Sequence, residues 1–318
     1  MKSDQMKKLT TLLGLILVVQ VSVGQISTTK VAEAKPEKVE PYDSLRNFLG
    51  NDYKQYKGQE LYLIPKAESL RKYGYEGFIK DINKSAYDKS NTFKCCDSYN
   101  SKYDELQGKY FTVIDVLEDP KSSYSQYAYL KLRMKETNEI TFFKYGTKYS
   151  HSFPFLVVGY YEKQKDIFVG NEVLIRPFPK IEGANQKKTV DIETGDEIEF
   201  EKGKYVKCLD VTIDEKYYEP ALLLENDKGQ KFLFALHTRY LNISRILTKQ
   251  EAEDYRKRFG EENWQTILNE KVKVGFTEEM TKVSWGEPDD INRASYGDQW
   301  VYGDQYLYFE NGKLKSFN

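Results

Sequence analysis

The sequence has 318 residues and a nearly balanced charge, with 48 Lys and Arg against 49 Asp and Glu. This balance argues against nucleic-acid binding, for which a basic face is expected, and against a polybasic membrane anchor. The 26 Tyr and 17 Phe favour strands, so the composition predicts a mainly β protein.

Residues 1–24 have the pattern of a cleavable signal peptide, in which positive charge precedes an apolar stretch and a small-residue cleavage site. The apolar stretch, residues 9–19, is shorter than the roughly 20 residues that a membrane-spanning helix needs. Ser22 and Gly24 provide the cleavage site, and Gln25 follows it where a lipoprotein would have Cys. We therefore expect an exported protein, periplasmic or extracellular, without a lipid anchor.

The segment that follows, residues 25–41, is polar, charged and without periodicity, which predicts a disordered linker. No later apolar run is long enough to serve as a transmembrane segment in the mature chain.

An internal repeat occupies much of the remaining chain. The run Gly108–Val116 matches Gly203–Val211, since both contain Gly-Lys-Tyr and, after four further residues, Asp-Val. Upstream, Gly58–Pro65 parallels Gly170–Pro177, and strand candidates downstream also recur in the same order. Blocks that recur in order indicate two copies of one structural unit.

Each copy contains four or five short strand candidates separated by turn residues, a pattern typical of a small β-barrel. We assign the copies to residues 42–167 and 168–247. In strand count, spacing and exported context, the tandem copies resemble bacterial SH3-like domains. That resemblance implies two small barrels that bind cell-wall peptides.

Residues 248–318 differ from the repeat and predict helices followed by an antiparallel sheet. Thr248 and Thr277 are suited to cap helix N-termini. Asn311-Gly312 predicts a tight turn between the last two of three strand candidates.

The C-terminal end also resembles a known family. The resemblance covers about residues 270–318, and four stretches carry it: Gly275–Met280, Trp285–Pro288, Trp300–Tyr302 and Tyr306–Leu314. These stretches resemble the SmpA/OmlA type of envelope domain, which includes a small accessory lipoprotein of the outer-membrane barrel-assembly machinery. The resemblance implies a helix-plus-sheet binding module. This chain differs from that lipoprotein in lacking a lipidated Cys and in its greater length.

The three cysteines exclude a complete disulfide framework. In an oxidising compartment, one of the adjacent Cys95 and Cys96 could pair with Cys208, or the two could pair with each other. The sequence leaves both pairings open. Cys208 occupies the repeat position of Val113, so its side chain is expected in a core, where free Cys behaves as a small hydrophobe.

No catalytic, metal-binding or cofactor-binding motif is evident. His151 and His237 are the two histidines, and a Cys208/His237 nucleophile pair is disfavoured by the core position of the thiol. The acidic stretches Asp289-Asp290 and 191–201 lack the alternating ligand spacing of a calcium loop and favour solvated turns.

Aromatic residues supply the candidate binding surface. Trp285, Trp300 and Tyr302 are expected in the core of the C-terminal module. Tyr73, Tyr75 and Phe78 fall between strand candidates in a predicted loop, where exposed rings could bind a partner.

The sequence therefore predicts a mainly β protein with two tandem small β-barrels and a C-terminal helix-plus-antiparallel-sheet domain. The functional prediction is an exported, non-enzymatic binding or scaffold protein of the bacterial cell envelope, with a peptide, peptidoglycan or envelope-protein partner. An envelope-polymer hydrolase is the alternative, and in a third hypothesis the C-terminal module alone engages a partner.

Overall fold

Most of the chain beyond residue 44 is described by a computed structural model. The described residues are 45–120, 126–149, 153–176, 189–199, 201, 203–214, 218–236, 246–295 and 297–318. The predicted signal peptide (residues 1–24) and linker (residues 25–41) lie outside them. None of the described helices is long and apolar enough to span a membrane.

The first part of the chain begins with a 3-10 helix (Gly50–Tyr56) and builds a six-stranded antiparallel sheet with a small hairpin beside it. Its elements are β1 (Glu60–Leu63), α1 (Glu68–Arg71), β2 (Phe78–Ile79), β3 (Cys95–Asp97), β4 (Asn100–Ser101), α2 (Tyr103–Leu106), β5 (Tyr110–Glu118), β6 (Tyr127–Met134), β7 (Ile140–Gly146) and β8 (Phe155–Val157). The strand order of the sheet is β2-β7-β6-β5-β1-β8, and β3 pairs with β4.

The second part builds a five-stranded antiparallel sheet. Its elements are α3 (Val158–Phe168), β9 (Glu172–Ile175), β10 (Tyr205–Asp214), β11 (Glu219–Glu225), β12 (Lys231–Ala235) and β13 (Ile246–Thr248). The strand order is β12-β11-β10-β9-β13.

The third part has helices followed by a four-stranded sheet in the order β14-β15-β16-β17. Its elements are α4 (Lys249–Phe259), α5 (Glu261–Leu268), α6 (Glu278–Trp285), β14 (Asp290–Ala294), β15 (Gly297–Tyr302), β16 (Gln305–Glu310) and β17 (Lys313–Phe317). Thr248 and Thr277 cap α4 and α6 as predicted, and Asn311 and Gly312 form the turn between β16 and β17.

The sequence repeat corresponds to a repeat of structure. The order β7-β6-β5-β1-β8 of the first sheet recurs as β12-β11-β10-β9-β13 in the second. Both sheets also have a bulge at the same repeat position, between Val113 and Asp115 in β5 and between Cys208 and Asp210 in β10. In each bulge the aspartate accepts a hydrogen bond from the next backbone N–H, at 3.0 and 2.8 Å.

The mainly β class with several antiparallel sheets is confirmed, whereas closed barrels are not observed. Within the described residues, no ladder joins β2 to β8 or β12 to β13. The outer edge of β2 is covered instead by a loop, because Phe93 N donates to Phe78 O and Lys80 N donates to Asn91 O. The backbone N–H and C=O groups of a covered edge are already hydrogen-bonded, so this edge does not need a partner strand.

Asn47 covers the opposite edge of the first sheet. Its buried side chain donates from Nδ2 to Phe155 O at 2.9 Å and accepts at Oδ1 from Val157 N at 2.7 Å, so it replaces a strand beside β8. The backbone before the 3-10 helix is fixed as well, because the Tyr56 hydroxyl donates to Asn47 O at 2.8 Å.

Replacing Asn47 by Ala should lower the free energy of unfolding by about 2 kcal/mol, since a buried carbonyl and a buried N–H lose their partners. Asn51→Ala, at an exposed position of the neighbouring 3-10 helix, is the control and should change it by less than about 0.5 kcal/mol. Urea denaturation followed by far-UV circular dichroism measures both. Equal midpoints for the two variants would contradict the assignment of Asn47 as an edge cover.

Three hydrophobic cores lie on the sheets. The first is rich in aromatic residues; its largest rings include Phe78, Phe111, Phe143, Tyr145 and Phe155. The second contains Cys208 and Phe232. The third joins the C-terminal helices and sheet to Leu174 and Leu247 of the second sheet, so the C-terminal part packs directly on the repeat.

Candidate functional site

The structure corrects the candidate binding surface predicted from loop aromatics. Only Tyr73 is exposed, at 46%, whereas Tyr75 and Phe78 are 1% exposed. The Phe78 ring packs against Phe143 in the first core, and the Tyr75 ring stacks on Tyr103. The three rings therefore do not form a common surface, although the segment that holds Tyr75 and Phe78 lines a pocket.

This pocket, which we call the aromatic pocket, has a volume of about 540 Å³. Strand β2 and the residues just before it form the floor, including Gly77 and Ile79. Tyr87 from the loop after β2 and Tyr99 from the β3–β4 hairpin also line the pocket, and we call the parts that they line its sides. These rings are 88% and 70% exposed, the two highest values among the large hydrophobic side chains described.

The hairpin that carries Tyr99 is fixed to the floor by several hydrogen bonds. Tyr75 N donates to Ser101 O at 2.9 Å, and Ser101 N donates back to Tyr75 O at 3.1 Å. The Ser101 hydroxyl donates to Phe93 O, and the Asn100 amide donates to Tyr73 O at 2.8 Å. The wall therefore has a defined position before any ligand binds.

The polar groups of the aromatic pocket are few and balanced in charge. Glu76 contributes one carboxylate and Lys144 one ammonium group, and Asn100 and Thr92 are neutral hydrogen-bonding residues. Lys144 Nζ also lies 3.9 Å from the centroid of the Tyr127 ring, a cation–π contact that holds it beside the sheet. Such a site can combine ring stacking with hydrogen bonds to a ligand of low net charge.

A second cavity, of about 210 Å³, lies between the second sheet and helices α4 and α5. Its polar groups already have protein partners: the Tyr205 hydroxyl donates to Glu253 at 2.7 Å, and Arg256 pairs with the neighbouring Glu261 at 2.6 Å. Burial and the neighbouring Glu253 raise the pKa of Tyr205. We therefore regard the aromatic pocket as the better candidate site.

The cysteine pairing that the sequence left open is resolved in the structure. Cys95 and Cys96 form a vicinal disulfide in β3, on the hairpin that carries Tyr99. Cys208 is a buried free thiol in β10, as its equivalence with Val113 predicted. Burial raises the pKa of Cys208 to about 11, which keeps the thiol protonated and unreactive at neutral pH.

Alkylation with iodoacetamide at pH 8 should therefore leave the native protein unmodified. Denatured, unreduced protein should gain one label, at Cys208, and reduced protein should gain three, as measured by intact-protein mass spectrometry. Cys208→Val, which introduces the residue of the first copy, should remove the single label from the unreduced sample. Labelling of Cys95 or Cys96 before reduction would contradict this pairing.

The acidic stretches considered as weak calcium sites form turns satisfied by the backbone. Asp191 Oδ1 accepts from the N–H groups of Glu193 and Thr194 at 2.7 and 3.2 Å. Asp289 accepts from Gly303 N at 2.7 Å, and Asp290 accepts from Ile291 N at 2.9 Å. No group of three or more His, Cys, Asp or Glu side chains suited to a metal ion occurs among the described residues.

Three aromatic residues of the C-terminal module were expected in its core. Trp300 is 1% exposed and stacks near Phe309, as expected. Trp285 and Tyr302 are partly buried: the indole N–H of Trp285 donates to Glu270 O at 2.9 Å, and the Tyr302 hydroxyl donates to Gly286 O at 2.7 Å. The Tyr302 bond fixes the end of α6 on β15, and the Trp285 bond joins the end of α6 to the segment after α5. His151 and His237 lie outside the described residues.

The sequence analysis missed Tyr87 and Tyr99, the most exposed rings of the pocket. Each is surrounded by short polar residues, as in Ser85-Ala-Tyr-Asp88 and Asp97-Ser-Tyr-Asn100. Such turn-forming neighbours indicate exposure.

Comparison with protein-family models, with curated proteins and with solved structures finds no match to this chain. The SH3-like and SmpA/OmlA-like resemblances therefore rest on the sequence patterns alone.

Proposed function

We propose that the chain is an exported, non-enzymatic binding protein of the bacterial cell envelope and that the aromatic pocket holds its ligand. The observation that carries this proposal is the pair of highly exposed rings, Tyr87 and Tyr99, that line one pocket with a fixed floor. Exposed aromatic side chains around a concave site mark binding surfaces more often than they mark packing. Export is inferred from residues 1–24, and the disulfide is consistent with it because disulfides persist mainly in oxidising compartments.

The other parts of the chain are proposed to present this pocket. The two repeated sheets would be open variants of SH3-like barrels, and the C-terminal helices with β14–β17 would be an SmpA/OmlA-type module. Support for this scaffold comes from the shared strand order of the copies and from the common core of the second sheet and the C-terminal part. The aromatic pocket has a single lining carboxylate, Glu76, so this pocket does not hold the carboxylate pair that the hydrolase alternative needs.

The test is co-sedimentation of purified protein (residues 25–318) with isolated cell envelopes, before and after muramidase digestion. Retention that is lost on digestion would identify peptidoglycan as the partner, and retention that survives would identify another envelope component. In both cases the Tyr87→Ala/Tyr99→Ala double variant should be retained at least about tenfold less than the wild type, since truncating central aromatic contacts costs 1.4 kcal/mol or more.

Tyr73→Ala is the matched control, because Tyr73 is an exposed tyrosine of the same region that does not line the pocket. It should be retained like the wild type. An equal loss in Tyr73→Ala would mean that exposed tyrosines in general, and not the pocket, mediate retention. Absence of retention in both envelope samples would overturn the proposed function.

A further inference from the structure

We infer that the aromatic pocket binds a saccharide chain of low charge and does not bind a peptide. This inference rests on the proposed function, since it names the ligand class of the same site. Three features of the pocket lead to it: the covered strand at its floor, the exposed rings at its sides and the balanced charge of its polar groups.

The floor offers no free backbone to an extended peptide. Strand β2 pairs with β7 on one side, with Phe78 opposite Phe143 and Ile79 opposite Phe142. On the other side Ile79 is bridged to Thr92, and the Phe78 carbonyl already accepts from Phe93 N at 3.1 Å. Strand addition, in which a peptide gains affinity from main-chain hydrogen bonds to a sheet edge, is therefore closed at this site.

The sides offer flat apolar faces that end in a hydroxyl group. Tyr87 and Tyr99 are 88% and 70% exposed, so most of each ring is open to a ligand. Lys89 Nζ lies 4.4 Å from the centroid of the Tyr99 ring, so one face of that ring is supported by the protein. A sugar ring has an axial C–H face that packs on such a ring and equatorial hydroxyls that reach polar side chains around it.

The polar groups match hydroxyls better than a charged ligand. Glu76 is an acceptor and Lys144 is a donor. The Asn100 Nδ2 group already donates to Tyr73 O, so its Oδ1 is the group that can accept from a ligand. One carboxylate and one ammonium group give no net attraction for a phosphorylated or strongly cationic ligand. The volume of about 540 Å³ lies within the roughly 300–1,000 Å³ of small-ligand sites, which suits a short stretch of a chain.

Isothermal titration calorimetry with chitotetraose, cellotetraose and the pentapeptide stem of peptidoglycan tests the inference. At least one tetrasaccharide should bind, and Tyr87→Ala and Tyr99→Ala should each weaken it about tenfold or more. Tyr308→Ala, an exposed tyrosine on the C-terminal sheet, should leave the affinity unchanged. Preference for chitotetraose would indicate the peptidoglycan glycan, and preference for cellotetraose would indicate another envelope polysaccharide.

The failure of this inference can be separated from the failure of the proposed function. If neither tetrasaccharide binds, or if the pentapeptide alone binds, the saccharide inference is overturned. The proposed function would still stand if envelope retention depended on Tyr87 and Tyr99. The opposite result is also informative. If a tetrasaccharide bound through these tyrosines but envelope retention did not depend on them, the saccharide site would be supported and its role in retention would be refuted.

Discussion

Replacing Gly74 by Ala is expected to lower the free energy of unfolding by at least about 3 kcal/mol and to displace one wall of the aromatic pocket. Gly74 has a φ of +59°, a left-handed conformation that costs other residues about 1–2 kcal/mol. A Cβ at this position would overlap the backbone carbonyl oxygen of Ser101 and lie 3.0 Å from Asp97 Cβ. The backbone of Ser101 cannot move aside as a flexible side chain can. The free-energy cost of this overlap therefore adds to the cost of placing alanine at a positive φ.

Gly303→Ala is a close control for this substitution. Gly303 has nearly the same φ, +57°, but no heavy atom lies within 4 Å of the position that its Cβ would occupy. Gly303→Ala should therefore lower the free energy of unfolding only by the cost of the positive φ, about 1–2 kcal/mol. Urea denaturation followed by far-UV circular dichroism compares the two variants. Equal losses would show that the approach of Ser101 to Gly74 is not tight in solution.

The Gly74 substitution also tests the pocket. Ser101 ends the hairpin that carries Tyr99, so movement of Ser101 away from a new methyl group would shift that ring. In the folded fraction of Gly74→Ala, the affinity for the tetrasaccharide that binds best should fall about tenfold, whereas Gly303→Ala should bind like the wild type. Unchanged affinity in Gly74→Ala would mean that the hairpin wall does not contribute to binding.

The equivalence of the two sheets was accessible from the sequence because it depends on local patterns that occur twice. Recurrence of the Gly-Lys-Tyr block fixed the equivalence of β5 with β10, including the buried position of Cys208. Closed barrels, in contrast, depend on whether edge strands meet. In this chain Asn47 and the Asn91–Phe93 segment cover two of those edges through contacts that have no periodic sequence signal.

The candidate binding surface was predicted in a segment that lines the aromatic pocket, but two of its three rings are buried. Strand β2 has only two residues, too few for the alternation that distinguishes a buried face from an exposed one. Phe78 is buried by Phe143, which lies 65 residues away along the chain. Long-range contacts of this kind decide burial, and a single sequence carries no local record of them.

Loss of the Arg176 guanidinium should have a comparably large effect, because this residue joins the second sheet to two helices. Arg176 follows β9 and is 5% exposed. It donates to Ile267 O at 3.2 Å at the end of α5 and to Val283 O at 2.5 Å in the last turn of α6. The last carbonyls of a helix have no partner within the helix, and a positive charge there is favourable.

The repeat itself marks Arg176 as a specialised residue. The equivalent position in the first copy is Ile64, which packs on the first core and has no helix ends to satisfy. Among the described residues of the third core, the C-terminal helices pack against the second sheet and not against the first, through Leu174 and Leu247. An arginine is therefore needed only in the copy that these helices contact.

Arg176→Met should lower the free energy of unfolding by about 2–3 kcal/mol, since methionine keeps much of the apolar stem but leaves the buried Val283 carbonyl without its donor. The Ile267 carbonyl keeps a second donor, Glu270 N at 2.8 Å. Arg293→Met, at an exposed position of β14, should change it by less than about 0.5 kcal/mol. All three tryptophans, Trp264, Trp285 and Trp300, lie in the C-terminal part, so tryptophan fluorescence reports on the region that loses its link to the sheet. A loss in Arg176→Met no larger than that in Arg293→Met would mean that hydrophobic contacts alone hold the helices on the second sheet.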